Sequence, residues 1–508
     1  MFSYIIRRLL QAVLIVFAAS YLIYVLAANA GDPLEDLRGS TAPNKETLIQ
    51  AKIAQLNLDV PAPLRYFIWL GGVLKVFTGN IDLGYNLKGL SVASQVGIGI
   101  GQTVQLVTIA TVLAIIVGVA IGMATALRQY SGFDYTVTFI AFLFFSLPVF
   151  WVAQMLKMYV AIGFNDFLAN TAVSWWLLPV VSIVLGFVWA SIVGGAMKKY
   201  FVNFGVAILV VAAGLFVVLY TGWLQAPWLG PLGVGIIGLA TAAIAVYLTA
   251  GFANRRILIS ALIVGALGAA LWLPFNYLFF YVPNYWSWVI VFGSMLAIAF
   301  IVSAILGGVE RSAAIRASVI TAIVASIALI ADRIMASWPD YVEATGGRPI
   351  ATIGAGTPNL TGSVWIMTLD NFTHLLLPTL ALMLISLAEW SRYSRASLLE
   401  VMNQDYVRTA RAKGLSERTV VMRHAFRNAM IPITTLVAFS IGGIIGGAAI
   451  TETVFGWNGV GNMYVAAIRA VDLNTVMAIF IITSIVTIIF NLLADLTYSA
   501  LDPRIRLT

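Results

Sequence analysis

The chain has 508 residues, of which 61% are hydrophobic and only 10% carry a charge, whereas soluble domains are roughly a quarter charged. This composition excludes a soluble globular protein and predicts an all-α polytopic membrane protein, because helices satisfy their own backbone hydrogen bonds inside lipid. The net charge of +8 is what basic cytoplasmic loops produce, so nucleic acid is not needed to explain it. Two histidines and no cysteine leave almost nothing for imidazole or thiolate chemistry.

The first block of the chain predicts three spans. Arg7 and Arg8 precede an apolar run at 9–28, long enough to cross the bilayer. We interpret it as an uncleaved first helix with its N-terminus inside; a cleaved signal peptide is the alternative, but its apolar core should be shorter. Residues 29–102 are polar and interrupted, which predicts an external loop with an amphipathic helix near 44–56.

The second and third predicted spans cover residues 103–127 and 136–163. Gly118 and Gly122 are four residues apart in the second span, a spacing that lets another helix approach closely. The third span is interrupted at Pro148. Lys157, in its outer part, predicts a side chain that reaches the outer surface rather than a lysine of an ion pathway.

A long segment with six apolar runs follows. The runs lie at 175–194, 202–220, 229–249, 257–274, 287–307 and 315–335. Basic residues occur at the first, third and fifth joints only, which is the positive-inside pattern of six spans that leave and re-enter on the outer side. The tail of this segment, 337–363, predicts an external loop.

The remaining chain predicts three more spans, at 373–389, 431–450 and 476–497. His374 lies at the start of the first, where we favour a structural role over a functional one. Between Trp390 and Asn428 there are eight Arg or Lys and three acids, which marks a cytoplasmic loop. Within it we predict a helix at 405–415, ended by Gly414, then a second helix at 417–429 that leads to a span starting near Pro432.

Several motifs in these blocks resemble those of one family, the peptide-type permeases of ABC importers. Arg408, Thr409, Ala410 and Gly414 occupy the positions of the Glu-Ala-Ala and Gly residues of the family's EAA loop, with the Arg that is usual in the dipeptide/oligopeptide branch. The loop residues matched in this way are Asp405, Tyr406, Arg408, Thr409, Ala410, Arg411, Ala412, Lys413, Gly414 and Leu415. The family's external loop signature is matched by Glu452, Phe455, Trp457, Gly459 and Gly461. A helix-packing face near the pore is predicted at Gly442, Gly443, Gly446 and Gly447.

The resemblance implies a type I ABC importer core of six helices, to which about six inserted helices are added. The implied divisions are 1–165 (core, with external loop 29–102), 166–365 (insert) and 366–508 (core, with coupling loop 390–430). The insert is interpreted as a peripheral block outside the translocation path, because its spans are lipid-compatible and enter and leave on one side.

The function implied is that of a transmembrane permease subunit in the cytoplasmic membrane, multi-pass, with both termini cytoplasmic. It would move peptides by alternating access, with nickel chelates, glutathione or sugars as substrates of outlying branches. Its implied partners are a second homologous permease subunit, two ATPase subunits that bind ATP and Mg²⁺, an extracytoplasmic substrate-binding protein and the lipid bilayer. The sequence itself leaves a homodimer open, shows no catalytic or metal-ligating set, and predicts no cofactor in this chain.

Two other classes of protein were weighed against this one. An ion-coupled secondary transporter would have about twelve helices as well, but such carriers place titratable groups inside the membrane and these spans contain few. A membrane enzyme or assembly factor is disfavoured by the lack of catalytic groups.

Overall fold

The computed structural model describes residues 2–41, 43–170, 176–252, 254–443 and 448–501. Within these ranges the chain is helical, and the one extended pairing is an isolated antiparallel bridge between Tyr85 and Ser91. The all-α prediction is therefore confirmed.

The first block contains eight helices. They are α1 Phe2–Ala28, α2 Glu35–Gly39, α3 Lys45–Leu56, α4 Ala62–Leu74, α5 Val92–Leu127, α6 Gly132–Ser146, α7 Val149–Met155 and α8 Gly163–Ala169. A 3₁₀ turn, Lys75–Thr78, follows α4, and a π-helical segment, Leu156–Ile162, joins α7 to α8. The helix predicted near 44–56 is present as α3, and α5 begins well before the predicted start of the second span at residue 103.

The third predicted span is sharply bent. Gly132–Ser146 and Val149–Ala169 meet at 104°. The bend falls where Leu147 adopts an extended conformation, as a residue before proline prefers. Pro148 in turn has no N–H to continue the helical hydrogen bonds.

The segment between the two blocks forms helices at all six predicted positions. They are α9 Leu177–Val193, α10 Met197–Tyr220, α11 Gly230–Thr249, α12 Arg255–Ala270, α13 Trp272–Tyr281, α14 Trp286–Leu306 and α15 Arg311–Ala336, with a short α16 Trp338–Ala344 after them. The fourth predicted run is a pair, α12 and α13, bent by 49°.

Four of these inserted elements make a bundle with a core of its own. Val234, Val264, Met295 and Ala325, one each from α11, α12, α14 and α15, are fully buried against one another. Gly238 and Gly265 bring α11 and α12 together so closely that a Cβ on either would lie within 2.8 Å of the other's backbone. The α9–α10 hairpin is far more open, since α10 buries only Ala207.

The helices of this bundle alternate in direction. At one end, Asn254 Nδ2 before α12 donates to Glu310 Oε2 before α15, at 2.9 Å. At the other end, the N–H groups of Leu229 and Gly230 both donate to Asp332 Oδ1 at 2.8 Å. The joints predicted to share a membrane face do lie together.

The second block contains α17 Val364–Met402, α18 Asp405–Ala412, α19 Glu417–Thr419, α20 Phe426–Gly443, α21 Ala449–Val454, α22 Val460–Arg469 and α23 Leu473–Leu501. Two predicted boundaries here are wrong. The fourth span is the middle of a 39-residue helix, so the first part of the predicted loop 390–430 is helical up to Met402. A π-helical segment, Val420–Ala425, joins α19 to α20, and the helix passes through Pro432 because the loss of one N–H donor does not by itself end a membrane helix.

The fifth predicted span, 431–450, is not a single described helix. The helix α20 ends at Gly443, residues 444–447 lie outside the described residues, and α21 starts at Ala449. Among the described residues, eight helices are long and apolar enough to cross a membrane, or up to ten if each bent pair is one span. The inserted α9 has only 17 residues, about 25 Å of helix, against a hydrocarbon core of about 30 Å.

The closest contact between the two core blocks is that of α5 with α17. A Cβ on Gly118 would lie 2.6 Å from Trp390 Cβ, and one on Gly122 would lie 2.0 Å from Ser394 Oγ. The predicted role of these two glycines in close helix packing is confirmed.

Candidate functional site

Between α17 and α20, the helix α18 presents one apolar and one polar face. Val407 and Ala410 are buried and pack against Val420 at the start of the next helical segment. The other predicted loop residues face outward: Asp405, Tyr406, Arg408, Thr409, Arg411, Ala412, Lys413, Gly414 and Leu415 are all exposed. The predicted set therefore forms one continuous polar surface, with Ala410 as its buried anchor.

The turn after α18 is fixed by hydrogen bonds. Gly414 has φ +75°, its N–H donates to Arg411 O at 2.9 Å, and the N–H of Leu415 donates to Ala410 O at 3.4 Å. These two bonds define the glycine-ended helix cap known as the Schellman motif. The predicted helix and its glycine stop are thus confirmed, with the helix ending at Ala412.

An ion pair between Arg411 and Glu417 connects the two helices on either side of the same turn. Arg411 donates through Nε to Glu417 Oε2 at 3.1 Å and through Nη2 to Oε1 at 2.7 Å. Hydrogen bonding from Arg411 lowers the pKa of the Glu417 carboxyl. This two-pronged contact restrains the angle between α18 and α19, since an arginine fork fixes the geometry of its partner.

The polar surface is connected to the membrane helices. Asn428 Nδ2 in α20 donates to Tyr406 Oη at 2.8 Å, and Ser397 Oγ in α17 donates to Ala429 O at 2.8 Å. A displacement of α18 is therefore passed to α20 through the Tyr406–Asn428 bond, and from α20 to α17 through the Ser397–Ala429 bond.

An ion pair that the sequence analysis missed lies near this end of the molecule. Arg395 Nη2 in α17 donates to Asp134 Oδ2 in α6 at 2.9 Å, and Asp134 is buried. Asp134 had been assigned to a short inner loop. Its place three residues after Ser131, whose Oγ caps α6, is the local signal that it begins a helix.

At the opposite end of α5, the residues predicted as an external loop signature form a buried turn instead. Glu452 is 0% exposed. Its Oε1 accepts from Thr103 Oγ1 at 2.7 Å and its Oε2 accepts from the N–H of Asn462 at 2.8 Å. Thr103 Oγ1 in turn accepts from the N–H of Val460 at 2.8 Å. The carboxylate thus occupies the positive N-terminal end of α22.

The glycines of the signature are required by this packing. A Cβ on Gly459 would lie 2.4 Å from the Glu452 carboxylate, and one on Gly461 would lie 2.7 Å from the backbone of Ala449. Phe455 and Trp457 are almost fully buried. The sequence predicted only that this signature lies on the outer side; the structure adds that the turn is buried, because it packs against α5 and against the tail of the insert.

That tail is part of the same packed region. The N–H of Gly354 donates to Phe455 O at 2.7 Å. Asn165 Nδ2 donates to Ile350 O at 2.9 Å, and the N–H of Ile350 donates to Asn165 Oδ1 at 3.0 Å. Residues 345–356 are therefore structurally continuous with the core rather than a free loop of the insert.

Lys157 and His374, for each of which the sequence allowed two interpretations, both have hydrogen-bond partners in the protein. Lys157 Nζ donates to Val454 O at 3.3 Å, at the negative C-terminal end of α21, so it does not simply extend to the surface. His374 is buried with Nδ1 2.8 Å from Asp370 O, in agreement with its structural interpretation. Asp370 also accepts from Thr357 Oγ1 at 2.6 Å.

The remaining predicted positions lie partly outside what the structure describes. Gly442 and Gly443 close α20, whereas Gly446 and Gly447 lie outside the described residues. Within the described ranges, no three His, Cys, Asp or Glu side chains come together as a metal site.

Comparison with known proteins gives the class of this chain. Residues 257–507 match the family described as binding-protein-dependent transport system inner membrane component, a range that contains α18, its turn and Glu452. This region, about half of the chain, belongs to that family of membrane permease components, and the chain is a multi-pass membrane protein.

The curated relatives are peptide permeases by name. The oligopeptide transport system permease protein OppB of Mycobacterium tuberculosis is 25% identical over 508 residues, covering 100% of both chains. A putative peptide permease protein of Brucella ovis is 45% identical over 139 residues, 27% of this chain and 44% of the relative. The dipeptide transport system permease protein DppB of Escherichia coli is 41% identical over 138 residues, 27% of this chain and 41% of the relative. The last two relatives are thus considerably shorter than this chain.

Proposed function

We propose that this chain is the translocating permease subunit of an ATP-driven peptide importer, and that α18 with its turn is the surface on which an ATPase subunit docks. The observation that carries the proposal is the geometry of α18. Its exposed polar face is held by the Gly414 cap and the Arg411–Glu417 ion pair. It is hydrogen-bonded to α20, which is hydrogen-bonded in turn to α17. A stiff element of this kind passes a rigid-body movement of a partner to the spans it joins.

The peptide assignment is supported by the names of the relatives and by the matching motifs. The importer would consist of this chain, a second homologous permease, two ATPase subunits that supply ATP and Mg²⁺ binding, and an extracytoplasmic binding protein that brings the peptide. The coupling surface, and with it both termini, would lie in the cytoplasm. The alternative of an ion-coupled secondary transporter is not favoured, because the family works with separate binding proteins.

The docking role is tested by substitutions at Gly414. A Cβ there would contact nothing in this chain within 4 Å, so Gly414→Trp should leave the protein in the membrane at its normal level. The positive φ would nevertheless be strained, and the indole would project from the docking surface. We expect poor co-purification of the ATPase subunits and loss of peptide uptake.

Gly414→Asn is the matched control, since asparagine tolerates the left-handed conformation without a large side chain. It should retain most ATPase binding and uptake. Normal ATPase co-purification with Gly414→Trp would contradict the docking role.

The permease pair gives a second test. We expect a tagged copy of this chain to purify with a different, homologous permease subunit, whereas a complex with two copies of this chain and no second permease would overturn the proposal of a heterodimer.

A further inference from the structure

A polar cavity of about 210 Å³ lies where the ends of α1, α3, α4 and α23 meet. Arg65 and Trp69 line it from α4, Tyr24 from α1, Asn57 from the end of α3 and Asn474 from the start of α23. The cavity lies at the end of α1 opposite Arg7 and Arg8. With the orientation proposed above, it is therefore on the outer side of the membrane, and only this choice of side depends on the proposed function.

The cavity wall contains a buried cation without an acid partner. Arg65 is only 8% exposed, and it forms no ion pair with any carboxylate of the described residues. Its guanidinium lies 5.9 Å from the centre of the Tyr24 ring, and its Nε has no hydrogen-bond acceptor. A cation–π contact recovers only part of the free energy lost when a charge leaves water.

A second donor in the same wall is also without an acceptor. Trp69 is 7% exposed, and its indole N–H donates to no group. Buried indole N–H groups usually find a partner. The guanidinium also hydrogen-bonds the Tyr24 hydroxyl, but that neutral group does not compensate its charge. Arg65 Nε and the Trp69 indole N–H, one turn apart on α4, both lack an acceptor beside the cavity.

Asp82, the acid at the rim of the cavity, is not the partner of Arg65. Asp82 accepts from the N–H of Gly84 through Oδ1 at 3.1 Å, and its Oδ2 lies 3.6 Å from Lys75 Nζ. Its side chain is 54% exposed. The negative charge of Asp82 is therefore paired with Lys75 at the surface. Arg65 remains without an acid partner.

We propose that this cavity is a carboxylate-binding site on the outer face, with Arg65 as the principal ligand-binding residue and Trp69 as a second donor. The planar guanidinium fork matches the two oxygens of a carboxylate. The volume is below the roughly 300 Å³ at which pockets for whole small molecules begin, so the site accepts a carboxylate with a few attached atoms. The carboxylate comes from the C-terminus of a peptide or from an acidic side chain of a protein at the outer surface.

The test uses the full-length chain in lipid nanodiscs and measures its thermal unfolding midpoint. At constant ionic strength, sodium acetate should raise the midpoint with the logarithm of its concentration once that exceeds the dissociation constant, because a ligand that binds only the folded state stabilises it by RT ln(1 + L/Kd), where L is the free ligand concentration. Acetamide, which has the same shape without the charge, should have no such effect. Equal responses to acetate and acetamide would overturn the proposal.

Two variants test whether the rise of the unfolding midpoint with acetate arises from binding in the cavity. Arg65→Gln should weaken the acetate response about tenfold or more, as expected for the loss of a charged hydrogen-bond donor. The matched control is Lys88→Gln, which removes a positive charge from an exposed position of the same loop and should leave the response unchanged. An acetate response that survives Arg65→Gln, or that is lost equally in Lys88→Gln, would exclude this site.

A milder variant, Trp69→Phe, tests the site if Arg65→Gln does not fold. Trp69→Phe retains an aromatic ring beside Tyr24 and Tyr66 and removes the N–H donor together with the smaller part of the indole ring. It should fold and bind acetate several-fold more weakly; unchanged binding by this variant, if Arg65→Gln does not fold, would contradict the proposal.

Two model compounds identify the source of the carboxylate. N-acetylalanine carries only a C-terminal carboxylate, and N-acetylaspartic acid amide carries only a side-chain carboxylate. The compound that raises the unfolding midpoint as acetate does identifies whether the bound carboxylate is a peptide C-terminus or an acidic side chain. Gly414→Trp should keep the acetate shift, so that failure of the ATPase-docking proposal and failure of this site are distinguishable.

Discussion

Glu452 shows how this protein holds a carboxylate away from water without a basic partner. Its oxygens accept from Thr103 and from the backbone of Asn462, and the N-terminal end of α22 adds a favourable dipole. From Thr103 to Leu127 α5 extends about 36 Å, more than the thickness of the hydrocarbon core. The Glu452 network, at the start of α5, therefore lies farther from the other end of that helix than the hydrocarbon core is thick.

Gly459 is the residue on which the Glu452 network depends most directly. Gly459→Ala places a methyl group 2.4 Å from the Glu452 carboxylate and 2.5 Å from Thr103 Oγ1. We expect a destabilisation of about 1–3 kcal/mol, typical of overpacking in a tight core, measured as a lower thermal midpoint of the purified chain.

Gly97→Ala provides the control for that substitution. Gly97 lies in α5, and a Cβ there meets nothing within 4 Å. Since alanine is the better helix former, the midpoint should stay the same or rise slightly. Equal losses for the two variants would contradict the specific packing role of Gly459.

At the scale of elements, the loop before α5 is attached to the start of α23. The N–H of Leu87 donates to Asp472 Oδ2 at 3.4 Å, and Asn474 Nδ2 donates to Tyr85 O at 2.8 Å. Asp472 also accepts from Thr475 Oγ1 at 2.9 Å. The external loop is thus positioned by the turn between α22 and α23, which borders the Arg65 cavity.

Asp472 makes this attachment sensitive to pH. Burial raises the pKa of its carboxyl, and the hydrogen bonds from Thr475 and Leu87 offset only part of the effect. An acid with a raised pKa binds more protons in the folded protein than in the unfolded chain, so stability falls as pH rises from the unfolded pKa, about 3.9, through the folded pKa. Stability should therefore be higher at the acid end of this window.

Asp472→Asn should remove that dependence. The amide oxygen can still accept from Thr475, and no charge has to be buried at neutral pH. We expect the thermal midpoint at pH 7 to be equal to or above that of the wild type, with the fall in stability above the unfolded pKa of about 3.9 flattened. A variant with the wild-type pH profile would show that another group is responsible.

At the scale of the whole molecule, the inserted bundle of α11 to α15 has an apolar cluster of its own, separate from the clusters of the core helices except where Trp365 joins it. Trp365, at the start of α17, is the shared residue of the bundle's apolar cluster, and it packs edge-on against Phe279 at 5.3 Å. Asp332 closes the same end of the bundle by accepting from Leu229, Gly230 and the indole N–H of Trp272. This separation is compatible with the predicted peripheral role of the insert.

Cysteine labelling tests the topology of the insert, and the wild-type chain contributes no background because it has no cysteine. Single cysteines at Lys198, Arg255 and Ser312 should react only from the cytoplasm. Cysteines at Gln225 and Asn284 should react only from outside. All five positions are exposed. A cysteine that does not react from one side is therefore shielded by the membrane and not by burial in the protein. Labelling of Gln225 or Asn284 from the inside would contradict six inserted spans.

The sequence by itself determined the class of fold, the approximate positions of most helices and the glycine-capped helix α18. Long apolar runs and alternating basic joints are local properties, so α10, α11, α14 and α15 appear where they were predicted. The α18 cap was predictable for the same reason, because Gly414 and the residues before it interact with near neighbours in the chain.

Only the tertiary structure decided where polar side chains find their partners. Thr103 and Glu452, or Asp134 and Arg395, are hundreds of residues apart, and no local pattern indicates which buried acid meets which donor. The long reach of α17 past residue 390 and the passage of α20 through Pro432 depend on packing against neighbouring helices, which compensates for unfavourable local residues. Arg65 is the clearest case: the sequence shows an arginine in a predicted external loop, but its burial without an acid, beside an open cavity, is a property of four helix ends that meet only in the folded chain.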